Sequence, residues 1–323
     1  MPAAGPGQAR NQQLPPFLIS PTRQNCPVRI CVIFNPTARG DKARHFRRHL
    51  DTIGAECALK QTAAAGAART LAAGAVREGF EIIVAAGGDG TLNEVLNGIG
   101  DVPGGFDQAC LGILPLGTVN VFAKELRLPL RLAPAWQVVR DARETRVDVL
   151  RVNCLLKGAP TRHYFVQMAG AGLDARAIEL VNYKLKKRLG PLAYIWAGIG
   201  ALGEPQPRIT VTAGAQQADG CWVLVGNGRF YGGKYVFFPT ADLRDGLLDV
   251  RVFPRIDLPG VLRSLGMLTL GTALPAAVAH NWQAREITLT SPTPVPLEVD
   301  GELMGHLPAT FTLEPQRLRV LIP

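Results

Sequence analysis

The chain has 323 residues, 47% hydrophobic and only 19% charged, which excludes a largely disordered protein and leaves room for two ordinary cores. Its net charge of +9 favours anionic partners such as a nucleotide, a nucleic acid or an anionic membrane surface, without choosing among them. Six scattered cysteines with no CxxC pair and no His–Cys cluster exclude a zinc module and fit a reducing compartment.

Residues 1–25 are rich in Pro, Gly, Gln and Ala, lack an apolar period, and read as a mobile tail rather than a secretory signal. A short apolar run, Val28–Phe34, stops at Asn35–Pro36 and reads as a buried parallel strand. Asp41–Ile53 spaces Ala43, Phe46, Leu50 and Ile53 as one helix with a basic outer face. Glu56–Leu59 is a second short strand and Ala67–Glu78 an Ala-rich helix. Glu81–Ala86 and Leu111–Leu114 are the third and fourth strands. Strands separated by helices imply a parallel sheet covered on its faces, with ligands beyond the carboxyl ends of the strands.

The loops at those ends carry the chemistry. After the third strand comes Gly87-Gly88-Asp89-Gly90-Thr91-Leu92-Asn93-Glu94. Its glycines let the backbone approach a ligand, and Thr91 opens a helix whose free N–H groups favour phosphate. After the fourth strand, Pro115-Leu116-Gly117-Thr118-Val119-Asn120 leads into a helical run, Val121–Leu126. After the first comes Asn35-Pro36-Thr37-Ala38-Arg39-Gly40. Three such loops on one sheet edge make a nucleotide cradle. There is no GxxxxGK[ST] loop. Gly170-Ala171-Gly172-Leu173-Asp174-Ala175 imitates a dinucleotide fingerprint without a βαβ unit around it, and reads as a look-alike turn.

From Asp148 the period changes. Short strand-like runs (Val147–Val152, Tyr164–Met168, Arg208–Thr212, Trp222–Asn227, Leu248–Phe253, Glu286–Thr290 and Arg317–Ile322) suggest a β-sandwich or barrel. One helical stretch, Ala175–Arg188, ends in a Lys184–Arg188 basic run. That run reads either as a solvated helix end or, with the apolar Leu192–Leu202 behind it, as a membrane-facing patch. The longest apolar stretch, Pro191–Leu202, is too short to span a bilayer, so the expectation is a soluble, cytoplasmic protein. Asp242-Leu-Arg-Asp245-Gly-Leu247-Leu-Asp249 suits either a hard cation or an ordinary Asp-Gly turn. Asp300-Gly301-Glu302 puts two carboxylates on one turn; by itself such a motif is more often an ordinary surface turn, and the alternative is the carboxylate that a kinase needs as a base for its acceptor hydroxyl.

Taken in order, NPTARG, GGDGTLNEVLNG, PLGTVNVFA, VGNGRFYGG, DLRDGLLDV and DGE resemble the diacylglycerol kinase catalytic family, which includes bacterial lipid kinases and sphingosine and ceramide kinases. The likeness runs from Val28 to Pro323. It implies a Rossmann-like three-layer α/β domain, similar to NAD kinases and phosphofructokinases, followed by a C-terminal β-sandwich domain. The expected division is tail 1–25, nucleotide-binding domain 26–148 and lipid-substrate domain 149–323, the last segment being free to pack back on the first domain. The resemblance implies ATP held by Asn35, Pro36, Thr37, Ala38 and Arg39, by Thr62, by Gly87, Gly88, Asp89, Gly90, Thr91, Leu92, Asn93 and Glu94, and by Gly117 and Thr118. It implies Mg²⁺ at Asp245 with the backbone carbonyls of Asp242 and Leu247. Glu302 is the implied base, with Asp300 beside it. The implied acceptor is diacylglycerol or a sphingoid-like alcohol, met at an anionic inner membrane surface. No nucleic-acid partner is expected, and a homodimer is left open. Val121 stands where many members carry Asp, and Lys234 adds a cation beside the cleft. A kinase for a soluble acceptor and a silent nucleotide or lipid sensor are the alternatives.

Overall fold

The computed structural model describes residues 28–36, 38, 40–180, 203, 205–233, 235–257, 259–260 and 278–323. The expected tail, Thr37, Arg39, the Lys184–Arg188 run, the Leu192–Leu202 stretch and Lys234 lie outside these residues. Strands β1 (Ile30–Phe34), β2 (Ala58–Gln61), β3 (Ile82–Gly87) and β4 (Cys110–Pro115) alternate with helices α1 (Asp41–Arg47), α2 (Leu50–Gly54), α3 (Ala67–Arg77), α4 (Asp89–Gly100) and α5 (Gly105–Gln108). Helices α6 (Val121–Glu125) and α7 (Leu132–Asp141) lead out of this half. Then come β5 (Glu144–Leu156), β6 (Ala159–Phe165), β7 (Met168–Ala171) and α8 (Leu173–Leu180). The remaining strands are β8 (Ile209–Ala213), β9 (Gln216–Gly220), β10 (Trp222–Gly226), β11 (Phe230–Tyr231), β12 (Tyr235–Val236), β13 (Leu248–Phe253), β14 (His280–Ala284), β15 (Glu286–Thr290), β16 (Pro296–Val299) and β17 (Glu302–Leu321).

The first half is a parallel sheet in the order β2-β1-β3-β4. The chain reverses direction of travel across the sheet after β2. Right-handed crossovers therefore place α1 and α3 on opposite faces. The helices pack accordingly, α3 on α4 and α1 on α7, which gives three layers. The second half is antiparallel, in the order β14-β13-β10-β7-β16-β17, with β5 and β15 also bonded to β17. No helix among the described residues is long and apolar enough to cross a membrane.

The long strand β17 ties the halves together. Its middle residues Phe311 and Leu313 lie in the core of the β-rich half, with Leu150, Val223 and Leu297. Its end residues Leu318, Val320 and Leu321 lie in the other core, with Val84, Leu111 and Val149. Near its end β17 runs parallel to β4, with Val320 opposite Leu111. One strand thus belongs to both cores, and burying its two apolar stretches fixes the halves against each other.

Four expectations need correction. Asp41–Ile53 is two short helices, because at Arg48 and His49 the bonding tightens to carbonyls three residues back. The second strand lies two residues later than expected, its register set by pairing Cys31 with Ala58 and Phe34 with Gln61. Helix α4 opens at Asp89, with Gly88 as its cap, and Thr91 sits inside the first turn. The run Tyr164–Met168 is not one strand. It breaks between Phe165 and Met168, where the amides of Val166 and Gln167 turn to the Asp300 carboxylate.

Asp148 secures the seam. Its buried carboxylate accepts the Gly246 amide at 2.8 Å and the Gln316 amide at 2.6 Å, joining β5 to the Asp242–Asp249 turn and to the bulge of β17. Burial raises its pKa and these two amides oppose the rise. Replacing Asp148 with Ala strands both amides at a cost of about 3 kcal/mol, to be read as a lowered urea midpoint at unchanged slope.

Candidate active site

Three loops meet at the carboxyl ends of β1, β3 and β4, where the strand order switches direction. The loops after β3 and β4 touch backbone to backbone. The Leu116 and Gly117 amides donate to Gly87 O at 2.9 and 3.2 Å. A Cβ on Gly117 would stand 2.5 Å from Gly88 Cα, so a side chain at this crossing would force the loops apart. Asn120 locks the second loop: its Oδ1 accepts the Gly117 amide at 3.0 Å and its Nδ2 donates to Gly117 O at 2.7 Å. Thr118 is left exposed at the tip. The loop after β1 is held by Arg47, whose guanidinium donates to Pro36 O and Ala38 O at 3.2 and 2.8 Å. Asn35 is exposed on that loop, and Thr62 is buried beneath it, its amide bonded to Phe34 O.

Two acidic residues of the glycine loop have internal duties. Asp89 Oδ1 accepts the Val121 amide at 2.7 Å, which caps α6; burial raises the Asp89 pKa against that bond. The Glu94 carboxylate accepts the Gly66 and Ala68 amides at 2.8 and 2.9 Å and so caps α3. The backbone of this loop, with the open N-terminal end of α4, is what remains to meet a ligand.

The turn between β16 and β17 brings in the second half. Asp300 adopts a left-handed φ of 48°. Its Oδ1 accepts the amides of Gln167 and Met168 at 3.2 and 3.0 Å, and its Oδ2 accepts Asn93 Nδ2 at 3.2 Å. Burial pushes the Asp300 carboxyl up to about 6, against the pull of those donors. Glu302 follows on the exposed side, its Oε1 against α4: a Cβ on Gly90 would lie 2.7 Å from it. The carboxylate therefore stands at the first turn of α4, where free amides and the positive helix end can also hold phosphate.

Behind this contact is a buried amide network. Asn93 Oδ1 lies 2.6 Å from His163 Nε2. Asn97 Nδ2 donates to Tyr164 O at 2.9 Å while its Oδ1 accepts the Tyr164 amide at 2.8 Å. Burial pushes the His163 imidazole down to about 4, so it is neutral at pH 7. Helix α6 adds a clamp from the other side. Buried Glu125 accepts the amides of Arg229 and Phe230 at 2.9 and 3.2 Å and Arg229 Nε at 2.8 Å, and Lys124 Nζ donates to Gly233 O at 3.2 Å. His163 and Glu125 carried no signal in the sequence, since their partners lie far along the chain, and Asn97 stood only as part of the quoted GGDGTLNEVLNG motif.

The sequence-predicted residues of the glycine loops, Asp300 and Glu302 thus converge, while Asp242, Asp245 and Leu247 form a separate turn at Asp148. There the Leu247 amide donates to Asp245 Oδ1 at 2.9 Å. Among the described residues no group of three or more His, Cys, Asp or Glu side chains could hold a metal by itself. The turn still fits a hard cation by its donors. Asp245 is one carboxylate among carbonyls, and the neighbouring buried Asp249 Oδ2 lacks any partner.

Comparison with known proteins supplies the family. Residues 29–152 match the diacylglycerol kinase catalytic domain, and residues 167–322 match the YegS C-terminal NAD kinase beta sandwich-like domain. A diacylglycerol kinase of Staphylococcus saprophyticus is 30% identical over 302 residues, 90% of this chain and 94% of the relative. The chain belongs to the diacylglycerol kinase family. The diacylglycerol kinase of Staphylococcus aureus is 29% identical over 304 residues, covering 90% of this chain and 91% of that one. A crystal structure of a diacylglycerol kinase from Bacillus anthracis has the same fold, with a TM-score of 0.74 at 23% identity over 92% of this chain and 97% of that one. Membership of the diacylglycerol kinase family makes the protein a kinase, an enzyme with ATP as the donor that its class implies.

Because Glu94 caps α3, Glu94→Ala costs about 1–2 kcal/mol in urea unfolding. Nucleotide affinity, measured by calorimetry, changes little in that variant.

Proposed function

We propose that this protein transfers the γ-phosphoryl group of ATP to the hydroxyl of a lipid, diacylglycerol or a sphingoid-like alcohol. The observation that carries the reading is the stand of Glu302 against Gly90, at the open first turn of α4. Glycine at position 90 lets the carboxylate lie against the helix backbone, within reach of whatever binds the helix end.

Phosphates would lie across Gly87–Thr91 and Gly117–Thr118, on backbone N–H groups and the positive end of α4. Those donors are fixed before substrate arrives, so they can stabilise the charge of the transferring group without reorganising. The Glu302 carboxylate takes the proton of the attacking hydroxyl as the Pγ–O bond forms in line with the breaking bond to ADP. Asp300 keeps the turn seated through Asn93. Mg²⁺, when bound, would be held by Asp245 and the carbonyls of Asp242 and Leu247, and would neutralise charge in that turn. Val121 supplies no carboxylate beside the cleft, but its amide still engages Asp89. The +9 net charge supports contact with the anionic inner membrane surface, where the lipid would be met.

The test presents labelled ATP, Mg²⁺ and a panel of lipid alcohols in mixed micelles, with NAD as a soluble acceptor in parallel. Transfer to a lipid and not to NAD is expected; transfer to NAD alone would overturn the reading. Glycine costs helix stability, so Gly90→Ala in α4 should raise stability by up to about 1 kcal/mol. Its methyl group displaces Glu302, so kcat falls by on the order of tenfold to a hundredfold. As pH falls through about 6, Asp300 gains a proton and loses an acceptor for Asn93. The rate therefore drops on that acid limb, and Asn93→Ala, which no longer donates to Asp300, weakens the dependence.

A further inference from the structure

Two more carboxyl groups lie under the same turn. Glu298 on β16 is fully buried, and Asp174 at the start of α8 is 8% exposed. Strand register sets Glu298 opposite Gly170 of β7. A Cβ on Gly170 would stand 1.7 Å from Asp174 Oδ2, so glycine there is what lets Asp174 reach the sheet beside Glu298. Glu298 Oε2 accepts the Gly301 amide at 2.8 Å. Glu298 Oε1 and Asp174 Oδ2 are buried without a well-formed hydrogen bond; the Trp222 indole N–H faces Asp174, and the two carboxyl groups are within hydrogen-bonding reach of each other. Two ionised carboxylates do not share such a site, and one proton between them supplies the missing donor. Burial raises the proton affinity of both groups; Asp174 raises that of Glu298 further, while the bond from Glu298 lowers that of Asp174, so the proton sits on Glu298. Among the described residues, Asp300 acts on Glu298 from the turn and Arg176 of α8 pairs with Glu179, while Trp222 of β10 offers Asp174 a neutral N–H.

We propose that Glu298 is a positioning residue for the phosphoryl transfer argued above, and the inference rests on that reading: sharing one proton with Asp174, it holds the Gly301 amide and so fixes where the Glu302 carboxylate stands. The two flanking residues of Gly301 are the ones that matter. Asp300 is bonded to Asn93 on one side and Glu302 faces Gly90 on the other. Releasing the Gly301 amide lets the turn rotate about Asp300 and carries Glu302 off the end of α4.

Two variants separate positioning from plain packing. Glu298→Gln keeps an acceptor for Gly301 and gives Asp174 a permanent N–H donor. Glu298→Leu keeps the bulk and removes both. At pH 7 the Gln variant should hold kcat within about threefold of wild type. The Leu variant should lose at least about thirtyfold in kcat while its KM for ATP moves less than about twofold. Wild-type kcat should fall on the alkaline side as the shared proton is lost, and the Gln variant should lack that fall. Infrared spectroscopy reads the proton itself, whether or not a lipid is phosphorylated. A neutral-carboxyl C=O band is expected at pH 7 in wild type and should vanish in Asp174→Asn and in Glu298→Gln. Equal loss of kcat in the Gln and Leu variants, or no such band in wild type, would overturn the proposal. Should the Leu variant not fold, the band and the alkaline limb of the Gln variant still decide it.

Discussion

The bond from Asn93 Nδ2 to Asp300 Oδ2 is the constraint on which the site depends. It joins the helix that opens the cradle to the turn that carries the proposed base, across two cores that share one strand. Among the described residues the proposed site draws on both halves of the chain. The α/β half offers backbone donors and a helix end but has its own acids, Asp89 and Glu94, committed to capping α6 and α3. The β-rich half contributes Glu302. Strand β17 makes their meeting obligatory, since it starts at Glu302 and ends beside β4.

The polar groups around this bond explain why so much amide chemistry is buried there. Asn93 and Asn97 of α4 are satisfied by His163 and by the backbone of Tyr164. All but His163 Nδ1 of this network is paired, and a paired buried network selects one arrangement over its neighbours. A hydrophobic seam in the same place would hold the halves together without fixing the angle of the Asp300–Glu302 turn. Glu125 does the same on the far side, tying α6 to the Arg229–Gly233 segment through charge-assisted bonds. The turn between them is held from below by a third buried acid, Glu298.

Much of the fold was legible because local pattern and final environment agree. Ile82–Gly87 is an uninterrupted apolar run, and it is a fully buried central strand. The glycine loops announced themselves by composition, and close backbone crossing at Gly88 and Gly117 is the physical reason for it. The family likeness located Asp300 and Glu302, which as a bare Asp-Gly-Glu turn would say little. What the sequence hid is long-range. The break of Tyr164–Met168 into two strands is caused by a carboxylate more than a hundred residues later in the chain. Glu94 looked like part of the cradle because it follows the glycines, but helical spacing turns it towards α3. The helix expected at Asp41–Ile53 has the right apolar period, and its tightening at Arg48 and His49 leaves no mark in that period.

A double-mutant cycle between Asn93→Ala and Asp300→Asn, read as kcat/KM for transfer to lipid, tests the central claim most directly. If their bond seats the turn on α4, the two changes act as one, with a coupling energy of at least about 1 kcal/mol. Losses that add within about 0.3–0.5 kcal/mol would mean that the turn is held in place by other contacts, contradicting this account.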